Sequence, residues 1–388
     1  MAPIRGGSRC RLAIFGQECG EAAARWCAAG RSREGEESMS AKTLVRAAPL
    51  KAVDFTKERV PAWVAELIET HLAIEREDAK AAGAVGYMAR ALVNTSMPYR
   101  DPKTREYVRH NGSLTLQMTA GPSVGLPFGI YPRLLTTWVA TEAVRRQSPV
   151  IELGDSLRQF LREVLDLRSN GAGKGGNATR VSEQMVRLFS ASIVATDTRY
   201  GFDMRRINIV EQASLTREDA ARFDALVEKA NESAAATDEG STAAAPLLWV
   251  PQNGADVGRW NSRIELTSNF FAECTTSPVP IDLRAYKSLR ESPRAMDLYS
   301  WLTYRMSYLR GRSRPIPWEA LMFQFGSALT PDKGSQAQRD FKREFIKALK
   351  TVLLVYPEAK IDYDASGITL LPSRPHVARQ SQQQLTFD

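Results

Sequence analysis

One order of elements occurs twice along this chain, and that repetition limits the fold more than any other feature. The first copy opens at Pro132, which suits the first turn of a helix. Leu135, Trp138 and Val139 share a face of that helix, which runs to about Gln147 before Pro149 stops it. Residues 150–153 are a short β-type run. Gly154-Asp155-Ser156 then caps a second helix carrying Leu157, Phe160, Leu161 and Val164 at helical spacing. After a Gly/Asn/Lys loop, a third helix over 179–191 turns Val181, Met185, Leu188 and Phe189 inward and Arg180, Gln184 and Arg187 outward. Two β-type runs, 193–196 and 206–210, close the unit around a turn that holds Arg199, Tyr200, Arg205 and Arg206.

The second copy opens at Ser292-Pro293, where a helix carries Ala295, Leu298, Tyr299, Leu302, Met306 and Leu309 as one apolar stripe, with Arg294 and Arg305 on its far side. A Pro-bounded strand at 314–318, a short helix at 319–325 and a turn at 330–335 lead into a long helix from 336 to about 355. Phe341, Phe345, Leu349, Val352 and Leu353 form its inner face; Arg339, Lys342, Arg343, Lys347 and Lys350 lie outward. Residues 360–363 and 368–371 alternate with period two around Asp364-Ala365-Ser366-Gly367, a hairpin with turn chemistry.

Helix, short strand, helix, turn, helix, hairpin is the order of a winged helix. The expected fold class is therefore α+β, with two tandem winged-helix (helix-turn-helix) domains and an N-terminal helical region. The expected boundaries are a disordered leader over 1–58, helices over 59–111, a first winged helix over 112–215, an acidic helix and linker over 216–246, a second winged helix over 247–376 and a flexible tail over 377–388. Residues 1–38 read as a poorly ordered leader, or as an upstream extension of a chain whose functional start is Met39, and are expected to be dispensable. A basic helix face alone is often only a solvated surface. Two of them, each in the position of a recognition helix and each followed by a hairpin, point to double-stranded DNA. The residues expected to touch it are Lys333, Gln336, Arg339, Lys342, Arg343, Lys347 and Lys350 in the second unit, and Lys174, Arg180, Gln184, Arg187, Arg199, Arg205 and Arg206 in the first.

Composition agrees without proving it. Lys and Arg number 52 against 44 Asp and Glu, a net charge of +8 that leans toward an anionic partner. No stretch approaches the about 18 apolar residues of a membrane helix, and residues 12–15 are too short a run for an export signal. Three of the four cysteines, Cys10, Cys19 and Cys27, are too widely spaced for a metal knuckle, and Cys274 stands alone. The three histidines, His71, His110 and His376, are far apart in sequence and read as surface or locally satisfied side chains. Gly171 to Gly176 imitates a phosphate loop, but Arg168 stands where its first glycine belongs and Gly175 follows Lys174. There is no Gly-x-Ser-x-Gly elbow and no dinucleotide fingerprint, and Asp362-x-Asp364 reads as two solvated carboxylates of a hairpin. No catalytic residue, metal or cofactor is expected.

Two stretches carry a family resemblance. Ile130-Tyr-Pro-Arg-Leu-Leu-Thr-Thr-Trp-Val-Ala-Thr-Glu-Ala-Val144 with Ile151-Glu-Leu-Gly-Asp-Ser156 is one; Val279-Pro-Ile-Asp-Leu-Arg284 with Ser292-Pro293 and Trp301-Leu-Thr-Tyr-Arg-Met-Ser-Tyr-Leu309 is the other. Both resemble the bacterial plasmid-encoded RepA replication initiators, over roughly residues 112–376. The resemblance implies a cytoplasmic protein that binds repeated sites at a plasmid origin and helps open an adjacent A·T-rich segment. It also implies recruitment of host replication factors, helicase-loading factors among them, and homodimer formation through the first winged helix. Arg339 and Arg343, on successive turns, are then the first candidates for reading base edges. A tandem winged-helix repressor without a replication role would share the same basic helices, and an enzyme of unfamiliar type is a third class. In the tail, Gln382, Leu385 and Phe387 fit Gln-x-x-Leu-x-Phe, which resembles the peptides that dock on bacterial sliding clamps; a merely solvated Gln-rich tail is the alternative.

Overall fold

A computed structural model describes residues 43–45, 62–122, 124–152, 177–214, 263–326 and 334–377. The leader apart from residues 43–45, the second helix of the first copy, the acidic linker, most of the turn before the last helix and the tail motif lie outside the described residues, as do Lys174, Lys333, Gln382, Leu385 and Phe387. In chain order the first half forms β1 (Thr43–Val45), α1 (Ala62–Arg76), β2 (Val85–Met88), α2 (Arg90–Asn94), β3 (Glu106–Asn111), β4 (Leu114–Thr119), α3 (Ile130–Arg146), β5 (Val150–Glu152), α4 (Asn177–Ser190), β6 (Ser192–Asp197), β7 (Asp203–Arg206) and β8 (Val210–Ser214). The second half forms β9 (Arg263–Leu266), α5 (Ser268–Thr276), β10 (Val279–Asp282), α6 (Leu283–Ser288), α7 (Pro293–Tyr308), β11 (Ile316–Pro317), α8 (Trp318–Phe325), α9 (Gly334–Val355), β12 (Lys360–Tyr363) and β13 (Gly367–Leu371). The fold is α+β.

The second copy follows its sequence signals closely. Ser292 caps α7 by accepting a hydrogen bond from the Ala295 N–H at 3.2 Å, and Pro293 occupies the first turn, where no N–H is needed. The apolar stripe of α7 is buried against α9, whose Phe341, Phe345, Leu349, Val352 and Leu353 are buried in turn. Each such side chain contributes roughly 1.5–3 kcal/mol when fully buried. The hairpin β12–β13 pairs antiparallel, β11 adds to its β13 edge and β1 to its β12 edge. Gly367 is required there, because a Cβ would collide with the Ile316 carbonyl. Asp362 is a correction: instead of being solvated it is buried, 3.4 Å from the Arg312 guanidinium, because its neighbours pack on both sides of the strand. Asp364 shapes the turn by accepting from the Ser366 and Gly367 N–H groups at 2.8 and 3.2 Å.

Pairing over long sequence distance organises the rest. The stretch 59–111, expected as helical, also holds strands: β2 pairs antiparallel with β10, Val85 opposite Asp282 and Met88 opposite Val279. Gly86 lets this pair close on α6, where a Cβ would strike Leu283. A second sheet, β3-β4-β6-β7, alternates Tyr107, Leu116, Met118, Ile193 and Ala195 into the core. A third, β5-β9-β8, joins the short strand after α3 to residues 263–266. The strand expected over 206–210 is displaced: β7 ends at Arg206, the chain turns through buried Ile207 and Ile209, and β8 resumes at Val210. One continuous hydrophobic core runs through α3, α4, α7 and α9.

The last described turn of chain is fastened by His376. Its Nδ1 lies 2.6 Å from the Tyr299 hydroxyl, and its ring packs 4.7 Å from that of Tyr356. Burial holds this imidazole below its ordinary value of 6.5, against the pull of Asp282 and Glu358. The unfolded chain therefore binds the proton first, so stability is complete above about pH 6.5 and is lost as pH falls through the depressed folded value. The midpoint of urea unfolding is expected to decline below pH 6.5, with a slope of at most about 1.4 kcal/mol per pH unit from this group. His376→Phe should flatten that decline, whatever it does to stability at pH 8. An unchanged pH slope in the variant would assign the decline elsewhere.

Candidate nucleic-acid interface

The outer face of α9 is a graded set of cations. Gln336, Arg339, Arg343, Lys347 and Lys350 are exposed along one side, opposite the buried phenylalanines. The first two turns are pre-ordered: Arg339 Nη2 donates to Gln336 Oε1 at 3.0 Å, and Gln336 Nε2 donates to Asp340 Oδ1 at 3.1 Å. Arg343 reaches the same Asp340 oxygen at 3.0 Å and Glu344 at 3.6 Å. Lys347 and Lys350 form no ion pair among the described residues. Lys342 stands apart from them. It is half-buried, donates to the Asp364 carbonyl at 3.1 Å and lies 4.9 Å from the Trp318 ring centre, so it ties the helix to the hairpin turn.

The corresponding helix of the first copy, α4, is less basic than its sequence suggests. Arg180 is exposed. Gln184, expected outward, is buried, because its Oε1 accepts from the Phe128 N–H at 2.8 Å and thereby anchors the loop before α3. Arg187 is largely covered: it pairs with Glu183 at 2.8 Å and Asp101 at 3.5 Å, donates to the Leu126 carbonyl and stacks 5.2 Å from the Phe128 ring. Neither side chain is presented to a ligand.

The hairpin β6–β7 keeps its cations outside. Arg199 and Arg206 are exposed, and Arg205 is paired with Asp203 at 2.7 Å while more than half exposed. The Asp203 carboxylate raises the Arg205 value. Asp197, at the root of the turn, accepts from the Ser113 hydroxyl at 2.7 Å and the Arg199 N–H at 2.9 Å, which holds its carboxyl below the usual range.

Two features escaped the sequence reading. Tyr200, Phe202 and Met204 stand 97, 76 and 54% exposed on that hairpin. After α7, Arg310, Arg312 and Arg314 form an exposed basic loop. The Tyr308 hydroxyl, at the end of α7, is pushed up by burial against the opposing charges of Arg305 and Arg199. The alternation Arg-Gly-Arg-Ser-Arg and a Tyr-Gly-Phe turn were the available signals. Cys274 offers no chemistry, since burial pushes its thiol well up and keeps it protonated. Among the described residues no group of three His, Cys, Asp or Glu side chains is placed to hold a metal, and no helix is long and apolar enough to cross a membrane.

These elements define an α+β protein with one shared core that displays a basic helix face and a basic, aromatic hairpin. Residues 215–320 match the family of plasmid-encoded RepA proteins, and the resemblance carried by residues 279–309 lies inside the match. Among solved structures the chain is similar to a crystal structure of domains 2 and 3 of RctB, with 12% identity and a TM-score of 0.38 over 71% of this chain and 94% of that one. No curated protein matches the chain.

Proposed function

We propose that the protein is a plasmid replication initiator that binds repeated duplex sites at its origin, promotes opening there and recruits host replication factors. The observation that carries this reading is the match of residues 215–320 to plasmid-encoded RepA proteins. The order α7, β11, α8, α9, β12, β13, with β11 on the hairpin edge, supports a winged-helix reading of the second unit, in which α9 enters the major groove. In the first unit α3, β5, α4, β6 and β7 follow one another among the described residues, and β5 pairs with β9 rather than with the hairpin. The action needs no catalytic residue or cofactor: binding and strand separation follow from charge and contact. Homodimer formation, contact with a helicase-loading factor, docking of the Gln382, Leu385 and Phe387 tail on the sliding clamp and a cytoplasmic location belong to the same proposal.

The test is genetic. The gene with its flanking DNA, cloned on a fragment that has no other origin, should replicate autonomously in a bacterial host lacking it. Failure to replicate, together with repression of a reporter placed behind the flanking DNA, would favour the repressor.

A further inference from the structure

We propose that the tip of the β6–β7 hairpin is an apolar wedge that enters duplex DNA, unstacks a base step and bends the helix. This rests on the DNA-binding reading above and adds a role for Tyr200 and Phe202. Residues 198–206 are exposed without interruption, so the tip of the ribbon stands open to solvent. Aromatic side chains bury large apolar areas when they can. Here Tyr200 and Phe202 are left 97 and 76% exposed, on either side of Gly201, whose φ of +139° turns the chain.

The root of this tip is held firmly. Thr198 N–H donates to the Ser113 carbonyl at 3.1 Å, and Asp197 is fixed by the Ser113 hydroxyl and the Arg199 N–H. An exposed tip on a fixed root can transmit force to whatever it enters. Charge selects the occupant. Arg199, Arg205 and Arg206 surround the aromatics against Asp197 and Asp203, and both carboxylates are already engaged, Asp197 by hydrogen bonds and Asp203 by Arg205. The cations can therefore face phosphates while the rings face bases. A narrow ribbon offers no groove along which a single strand could lie. It does have the form of the apolar wedges that architectural proteins insert between base steps from the minor groove.

The full-length chain and the variant Tyr200→Ala/Phe202→Ala would be compared on an end-labelled donor–acceptor duplex of about 40 base pairs, cut from the DNA flanking the gene. Both side chains are solvent-exposed, so the variant should keep the unfolding midpoint of the parent. The parent should raise energy transfer between the duplex ends; the variant should lose most of that rise and bind about tenfold more weakly, the order expected for lost stacking. Its salt dependence should be unchanged, because every cation that faces a phosphate is retained. Tyr200→Phe/Phe202→Tyr should bend like the parent. Equal bending by parent and alanine variant would overturn the wedge and leave DNA binding intact. A loss confined to a single-stranded probe of the same sequence would also overturn it, in favour of an unpaired-strand platform. Absence of binding by the parent would overturn the DNA reading and the wedge together.

Discussion

Arg133→Ala is expected to lower the stability of the whole protein by about 3–5 kcal/mol, the cost of stripping one partner from a buried ion pair. Arg133 is fully buried on α3, and all five of its N–H donors are used. Nε and Nη2 hold the two Asp297 oxygens on α7 at 2.7 Å each, Nη1 donates to the Pro98 and Gly129 carbonyls, and Nη2 donates to Met97 O. Tyr99 lies 5.0 Å from the guanidinium. One side chain thus joins the opening helices of both copies to the loop between α2 and β3. Removing it strips the Asp297 carboxylate of its two 2.7 Å donors and the Met97, Pro98 and Gly129 carbonyls of one donor each. Arg133→Lys should fail almost as badly, because an ammonium has three donors and no planar fork. Arg133→Met combined with Asp297→Leu should recover part of the loss, since it removes both charges. Urea unfolding measures all three. Because the core is continuous, the parent should melt in one transition, and a midpoint for Arg133→Ala within error of the parent would sink the argument.

Sequence reading recovered what is encoded locally. Ser292 and Pro293 announce the start of α7 by capping chemistry, and the inner face of α9 follows from apolar spacing alone. The hairpin around Asp364 carries its own turn residues. Strand partners are another matter, because nothing in Val85-Gly-Tyr-Met88 names Val279-Pro-Ile-Asp282 as its complement across 190 residues of chain. The same holds for β5 with β9, which displaces the pairing that a separate winged helix would have used.

The candidate surface shows the limit in a different form. Helical arithmetic places Gln184 outward because it is polar, yet a polar side chain is welcome inside once a backbone N–H satisfies it, and the Phe128 N–H does. Arg133 and Arg187 were cations in a basic chain until their partners at Asp297, Asp101 and Glu183 were in place. Conversely the sequence reading places Tyr200 in the turn only as a neighbour of its arginines and does not single out Phe202, and their exposure marks both as surface aromatics.

Those assignments make the outer face of α9 the place where the largest effect on DNA binding is expected. Replacing Arg339, Arg343, Lys347 and Lys350 together by alanine should abolish site-specific binding at physiological salt. It should also reduce the slope of log K against log salt by at most about 3.6, or 0.9 for each phosphate no longer neutralised. The four should not behave alike singly. Arg339→Ala and Arg343→Ala, on the pre-ordered turns, should cost about 1–3 kcal/mol on the specific site and less on random DNA. Lys347→Ala and Lys350→Ala should weaken both DNAs equally and account for the slope. Lys342→Ala should change the slope little and lower stability instead, because its ammonium serves the Asp364 carbonyl and the Trp318 ring. Asp340 supplies the sharper control. Its carboxylate orients Gln336 and Arg343, and it also adds a negative charge to the face that meets phosphates. Asp340→Asn should therefore tighten binding to random DNA while reducing the preference for the specific site. Tighter binding to both DNAs in equal measure would mean that Asp340 only repels, and that Arg343 reads no base.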